Sequence, residues 1–304
     1  MLLKKIFIKI LKMSRLRNIL HFSRKKLKRS LYLAKNLDDD LSRLMRDGFF
    51  RFNELVEPKI IDQWMDRYKI SGENIIPSEG NLIIPFFNAE IDDLLTNSDF
   101  SELLDKYFDA MYGCKPVLQC LPSLVMTYPS ISQDEFKSGA HNFPAVWHVD
   151  YLSEFTIHMP LLAINASNSH TMYAVNTHTS FLNPPLKGPE GKEIARSFAE
   201  KSDVVMIDVD GWHTGRLEGT SPRIMVQFKF TKGNDLLGIP ADGLSEKLLK
   251  QIDRTKRCIQ NYDELIDALS EDRSYIKAKD FSDTPMAIIG DSVEIYEQYI
   301  SESR

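Results

Sequence analysis

The chain of 304 residues is 43% hydrophobic and 27% charged, values of a globular protein with a sizeable core. No run reaches the ~18 apolar residues of a membrane span, and three cysteines without a C-x-x-C pair speak against a disulfide framework or a zinc knuckle and suit a reducing, cytoplasmic setting. The net charge is −5, yet residues 1–37 hold twelve Lys or Arg and no acid, so the remainder carries −17 and is ill-suited to a nucleic-acid partner.

The basic start, MLLKKIFIKILKMSRLRNILHFSRKKLKRS, reads as an amphipathic helix with Lys5, Lys9 and Lys12 on one side and Leu3, Ile6, Phe7, Ile10 and Met13 largely on another. Lys9 and Lys12 interrupt a secretory apolar core, so no signal peptide is expected. The functional reading is a peripheral contact of residues 1–30 with an anionic membrane surface. A basic tail and a transit peptide stay open beside it. Residues 1–37 are set apart from a domain over 38–240 and a helical extension over 241–304.

A short capped helix is expected over 38–46 and a strand over GFFRF, residues 48–52. A helix then opens at Pro58, with Ile60, Ile61, Trp64 and Met65 at helical spacing. NLIIPFF is a strand or an extended segment, and SDFSELLDKYFDAMYG is a helix stopped by Gly113. From about residue 115 the texture turns to β: VLQCLPSLVMTYP, AVWHVDY, FTIHMPLLAI, TMYAVNTH, DVVMIDV and PRIMVQFKF, separated by turns. This spacing predicts an α+β fold with an antiparallel jelly-roll core instead of βαβ units. Beyond Pro240, SEKLLKQIDRTKRCIQ, YDELIDALS and DSVEIYEQYISE return to helix as packing or dimer elements. The sequence does not fix the oligomeric state.

The chemistry concentrates in the β region. On a strand, His148 and Asp150 of AVWHVDY point to one face, where an imidazole and a carboxylate can meet one cation. A non-haem Fe(II) site needs a second His from elsewhere. His213 lies 63 residues after Asp150, just past Gly211, which breaks the strand DVVMIDV. Arg223 follows ten residues later, after the turn EGTSP, and a β-hairpin would return it close to His213. A buried guanidinium there meets a carboxylate bidentately, and 2-oxoglutarate fits the set: its keto acid end on iron, its far carboxylate on Arg223.

These motifs resemble the phytanoyl-CoA dioxygenase family of Fe(II)/2-oxoglutarate-dependent oxygenases. The residues that carry the resemblance are WHVD (His148, Asp150), TMYAVNTH, SDVVMIDVDGWHTG (His213) and SPRIMVQF (Arg223), with RDGFFRFNELVEPKIIDQW at the opening. It covers about residues 45–232. It implies a double-stranded β-helix core, iron held by His148, Asp150 and His213, 2-oxoglutarate as cosubstrate and O2 as oxidant. Two positions depart from the family pattern: Ser202 stands where a Gly often precedes the strand Asp, and Gly215 where a Ser often follows the distal His. Gly215 removes one hydroxyl from the cosubstrate site. Related halogenases lack the metal-binding Asp, so Asp150 implies hydroxylation or another oxidation.

Several bland readings stand beside these. His148 with Asp150 is otherwise a surface hydrogen-bonded pair, His213 a turn histidine, and Arg223 a cross-strand ion pair with Glu218. Arg216 is the rival clamp. Thr127 and Tyr128 are candidate cosubstrate donors, and Met225 and Gln227 share the face of Arg223. His158 is a candidate cavity residue, whereas His141, His170 and His178 read as core-edge or supporting histidines. Trp147 and Trp212 read as packing around the ligands. The substrate class expected is a small-molecule, lipid or sugar-linked compound, with specificity in loops 129–146 and 181–200. The competing function is a non-catalytic jelly-roll module that binds glycan or lipid at a membrane, and a third is a cupin-like sugar isomerase, against which the dicarboxylate clamp argues.

Overall fold

The computed structural model describes residues 19–35, 39–76, 81–118, 121–127, 147–150, 155–180, 184, 188–216, 220–232, 252–279 and 292–304. Helix α1 spans residues 19–33. Then follow α2 (Asp40–Asp47), β1 (Phe49–Phe52), α3 (Pro58–Arg67), β2 (Asn81–Pro85), α4 (Ala89–Asn97) and α5 (Asp99–Tyr112). The β region comprises β3 (Pro116–Leu118), β4 (Ser123–Thr127), β5 (Phe155–Pro160), β6 (His170–Ala174), β7 (Ile194–Arg196), β8 (Val204–Asp208), β9 (His213–Arg216) and β10 (Arg223–Lys232). Helices α6 (Ile252–Cys258), α7 (Tyr262–Glu271), α8 (Arg273–Ala278) and α9 (Ser292–Ser303) close the chain.

Local chemistry sets the element ends. The Asp39 side chain accepts the Ser42 N–H to start α2, and Gly48, at φ 72°, ends it by donating its N–H to the Leu44 carbonyl. Ser98 accepts the Ser101 N–H at the start of α5, whose first turn carries Asp99 and Glu102, and Gly113 at φ 71° stops it. Pro58 stands in the first turn of α3, where its missing N–H has no cost.

Seven strands form one antiparallel sheet in the order β1-β8-β5-β10-β4-β2, with β3 also on β10, and three form a second in the order β7-β6-β9. The chain passes from β5 in the large sheet to β6 and β7 in the small one, back to β8, across to β9 and back to β10. That alternation is the double-stranded β-helix, and the helices flank it. Period-two alternation gives the large sheet two distinct faces. Phe155, Ile157, Met159, Val204, Met206, Ile224, Val226 and Phe228 join the helices in one apolar layer. Phe155 lies 5.3 Å from the Tyr107 ring of α5, and Phe228 lies 6.1 Å from that of Phe100. The other face turns toward the small sheet. It packs Val205 and Ile207 with Tyr173, and Val125 with Met225 and Ile164.

Three expectations change. AVWHVDY is not a strand within the described residues: His148 forms a single β-bridge with His213, and residues 145, 146 and 151 lie outside the description. VLQCLPSLVMTYP divides into β3 and β4, since Pro122 lacks the N–H that a continuous ladder needs. Most consequentially, β9 and β10 form no hairpin. They belong to different sheets, so Arg223 approaches from the wall opposite His213. Helices α4 and α8 and strand β7 were not anticipated.

Candidate metal centre

Segments 148–150 and 209–213 are laced together by backbone hydrogen bonds. The His148 N–H donates to the His213 carbonyl at 2.9 Å, the His213 N–H returns to the His148 carbonyl at 3.0 Å, and the Asp150 N–H donates to the Val209 carbonyl at 3.1 Å. This ladder brings three side chains from distant sequence to one point. Ligand atoms of His148, Asp150 and His213 all lie within 4.8 Å of one another. Asp150 Oδ1 is 3.5 Å from His148 Nε2, and Asp150 Oδ2 is 3.6 Å from His213 Nε2. Those separations are long for hydrogen bonds. They are near the roughly 3 Å edge that an octahedral cation with bonds of about 2.1 Å sets between adjacent ligands.

The ring of His213 is oriented for ligation. Its Nδ1 stands 2.9 Å from the Gly211 carbonyl, which only accepts, so Nδ1 donates there and Nε2 is the ring nitrogen that faces Asp150. Burial opposes ionisation of Asp150, but His213, Lys229 and His148 outweigh it and hold the carboxyl below its usual range. The side chains of His148 and Asp150 are 23% and 32% exposed against 9% for His213, so these two form the more exposed side of the cluster.

The turn before His213 is fixed from several directions. The Gly211 N–H bonds the Asp208 carbonyl, the Trp212 N–H bonds Thr177 Oγ1, and the Ala174 N–H bonds the Trp212 carbonyl. Tyr173 donates its hydroxyl to the Asp208 carbonyl at 3.1 Å, and a Cβ on Gly211 would collide with that hydroxyl. Only glycine lets the tyrosine come so close. A Cβ on Gly48 would meet the same hydroxyl and His178.

Behind the turn lies a buried charge cluster that sequence reasoning missed. Lys25 of α1, 2% exposed, places Nζ 2.6 Å from Asp208 Oδ2 and 2.7 Å from Asp210 Oδ2. His21 Nε2 reaches Asp210 at 3.1 Å, and Tyr107 donates its hydroxyl to Asp208. Burial alone would push Lys25 down, yet the two carboxylates hold it above the usual lysine range. Burial pushes Asp208 up, while Lys25 and His21 overcome burial at Asp210 and hold it well below the usual carboxylate range. The signal was present in the sequence: Asp208 falls on the parity of apolar Val204 and Met206, and an acid on a buried face needs a cation.

On the inner face of the large sheet, Arg223 pairs with Thr127, Gln227 with His158 and Lys229 with Thr156. Arg223 is 3% exposed, and burial pushes its guanidinium down to about 10, still charged at neutral pH. Its Nη2 donates to Thr127 Oγ1 at 3.4 Å, and the Thr127 hydroxyl donates to Asn81 Oδ1. Tyr128, His141, Glu218 and loop 129–146 lie outside the described residues, as do parts of 181–200. Met225 lies on this face against Val125 and Ile164. His170 is buried with its Nδ1 at the Asn168 carbonyl and its ring 4.7 Å from Phe198. His178 is buried with Nε2 at the Met45 carbonyl, and neither histidine joins the cluster.

His158 lies within the electrostatic reach of both walls. Burial, reinforced by Arg223, Lys229 and His213, pushes its imidazole down to about 3. Gln227 Nε2 donates to His158 Nε2 at 3.2 Å, which leaves the proton on Nδ1, a buried donor with no acceptor among the described residues. The unfolded chain takes up a proton here near pH 6.5 and the folded chain does not. Stability therefore falls as the pH drops from about 6.5 toward 3, by about 2 kcal/mol between pH 7 and 5. His158→Gln is expected to remove that part of the pH dependence of the urea midpoint. An unchanged slope would show His158 accessible to protons in the fold.

No family model matches the chain, and no curated protein matches it. Solved structures do resemble it. SnoK, a non-heme alpha ketoglutarate dependent carbocyclase from nogalamycin biosynthesis, is 11% identical with a TM-score of 0.48 over 70% of this chain and 92% of that one. HygX from Streptomyces hygroscopicus, solved with nickel and 2-oxoglutarate, is 12% identical with a TM-score of 0.45 over 64% and 87%. AviO1 from Streptomyces viridochromogenes Tue57 is 18% identical with a TM-score of 0.43 over 68% and 99%. At these levels the chemistry has to be read from this chain's own side chains.

Proposed function

We propose that the chain is an Fe(II)/2-oxoglutarate-dependent oxygenase acting on a C–H bond of a small-molecule, lipid or sugar-linked substrate, with hydroxylation as the outcome. The observation that carries this reading is the convergence of His148, Asp150 and His213 in a barrel whose opposite wall holds the buried cation Arg223. The donor set suits iron: two neutral imidazoles and one carboxylate on one side of a cation, the remainder open. The Nδ1 hydrogen bond of His213 leaves its Nε2 ready to ligate. The motif resemblance to the phytanoyl-CoA dioxygenase family supports the same reading.

Iron, when bound with 2-oxoglutarate, supplies the activation of O2 that oxidises the substrate and releases succinate and CO2. The protein's part is positional. His148, Asp150 and His213 would hold the ion, and the more exposed side at His148 and Asp150 would admit the substrate. Arg223 would take the far carboxylate of the cosubstrate, with Thr127, itself fixed by Asn81, steadying the guanidinium. Neutral His158 adds no charge to that wall, and its Nδ1–H is the donor that a ligand oxygen would meet. Val125, Ile164 and Met225 exclude water and strengthen the Arg223–carboxylate attraction.

The direct experiment measures succinate and CO2 from 2-oxoglutarate with Fe(II) and O2. Arg223→Met removes one partner of a buried ion pair, which costs about 2–5 kcal/mol and raises the KM for 2-oxoglutarate at least about 30-fold. The affinity for Fe(II) alone should not change. A KM within about threefold of the parent's would remove Arg223 from the cosubstrate site. No succinate, together with no binding of Fe(II) or 2-oxoglutarate by calorimetry, would leave the non-catalytic module instead.

A further inference from the structure

Helix α1 is built inside out. Its inner face buries Phe22 and Lys25 and turns His21 and Arg29 toward the body, where Arg29 donates to the Arg46 carbonyl at 3.1 Å. Its outer face shows Leu20, Leu27 and Leu31 at 50%, 61% and 57% exposure. At 3.6 residues per turn the three leucines fall within about 40° of one another, on the side away from Lys25. Exposed Arg24 and Lys28 border this stripe on one side, and exposed Ser23 and Ser30 border it on the other. A helix that only packs on a protein in water keeps leucines in and lysines out. Here Lys25, clamped by Asp208 and Asp210, fixes the leucines outward.

An apolar stripe bordered by cations fits one kind of partner. A second copy of the chain, paired face to face, would bring the flanking cations Arg24 and Lys28 of the two copies into one interface. An anionic lipid surface takes the leucines at the acyl boundary and the cations at the headgroups. Residues 1–37 contain no acid to oppose this. We propose that the outward face of α1, centred on Leu20, Leu27 and Leu31, docks the protein on an anionic membrane surface, independently of the chemistry in the barrel.

The test is cosedimentation of the full chain with vesicles of phosphatidylcholine alone or with roughly one-third phosphatidylglycerol. Binding is expected to the anionic vesicles only, and to weaken as NaCl rises from about 0.1 to about 0.5 M. The Leu20→Ser, Leu27→Ser, Leu31→Ser triple variant is expected to bind about tenfold or more weakly, with unchanged thermal unfolding. Equal binding to both vesicles would overturn the proposal. So would full retention of binding by the triple variant, which would assign the contact to residues 1–18. Self-association of the parent chain that the triple variant abolishes, without vesicle binding, would make the partner a second copy.

Discussion

Asp150→Ala is expected to abolish 2-oxoglutarate turnover. The two imidazoles stay in place because the His148–His213 bridge is made by backbone atoms, so the fold and the remaining donors survive. The lost group is the only anionic member of the cluster and the one within 3.6 Å of both rings. Removal of a group that merely supports a metal ligand costs about 10–100-fold in affinity or activity. Loss of a direct ligand should exceed the upper end of that range. Succinate formation, read with Fe(II) in excess, checks this. A variant that keeps more than about a tenth of the parent rate would place the chemistry elsewhere. Asp150→Glu, which retains charge but moves it one methylene, should recover Fe(II) binding better than Asp150→Ala.

Lys25→Met is expected to cost about 3–5 kcal/mol of folding stability, because it strands two carboxylates in a site where both are at most 1% exposed. Methionine fills most of the lysine volume, so the loss is electrostatic and not a cavity. The urea midpoint should fall accordingly. The same variant carrying Asp208→Asn and Asp210→Asn should recover much of the loss, since the stranded charges go with it. The effect should extend to the metal centre, since Asp208 accepts the Gly211 and Asp210 N–H groups in the turn that presents His213. If Lys25→Met unfolds at the parent's midpoint, Lys25 reaches water in solution and α1 does not pack as described.

The four polar groups of the proposed site stood out in the chain because each came with a local cue: His-x-Asp beside a tryptophan, a histidine after a strand-breaking glycine, an arginine opening a strand. Their separation into two walls was not legible. Periodicity reports which side of a strand a residue takes, not which sheet the strand joins, and so β9 and β10 read as neighbours. The 148–150 segment read as a strand because its apolar company fits one, whereas a single bridge to His213 and one hydrogen bond to the Val209 carbonyl fix it. Lys25 was hidden among eleven other cations in residues 1–37, and its partners lie 183 and 185 residues away. Helix α4 escaped notice because three acids interrupt the apolar residues of AEIDDLLTN, and only Ile91 and Leu95 supply its buried apolar anchors.

The most direct measurement is an anaerobic titration of chelator-stripped protein with Fe(II), or with Co(II) as a spectroscopic stand-in, before and after 2-oxoglutarate is added. The account predicts a single saturable ion per chain with mixed nitrogen and oxygen ligation, a spectrum that changes when 2-oxoglutarate joins, and loss of that ion in His148→Ala, Asp150→Ala and His213→Ala alike. Binding that persists undiminished in all three variants, or no saturable binding in the parent, would contradict it.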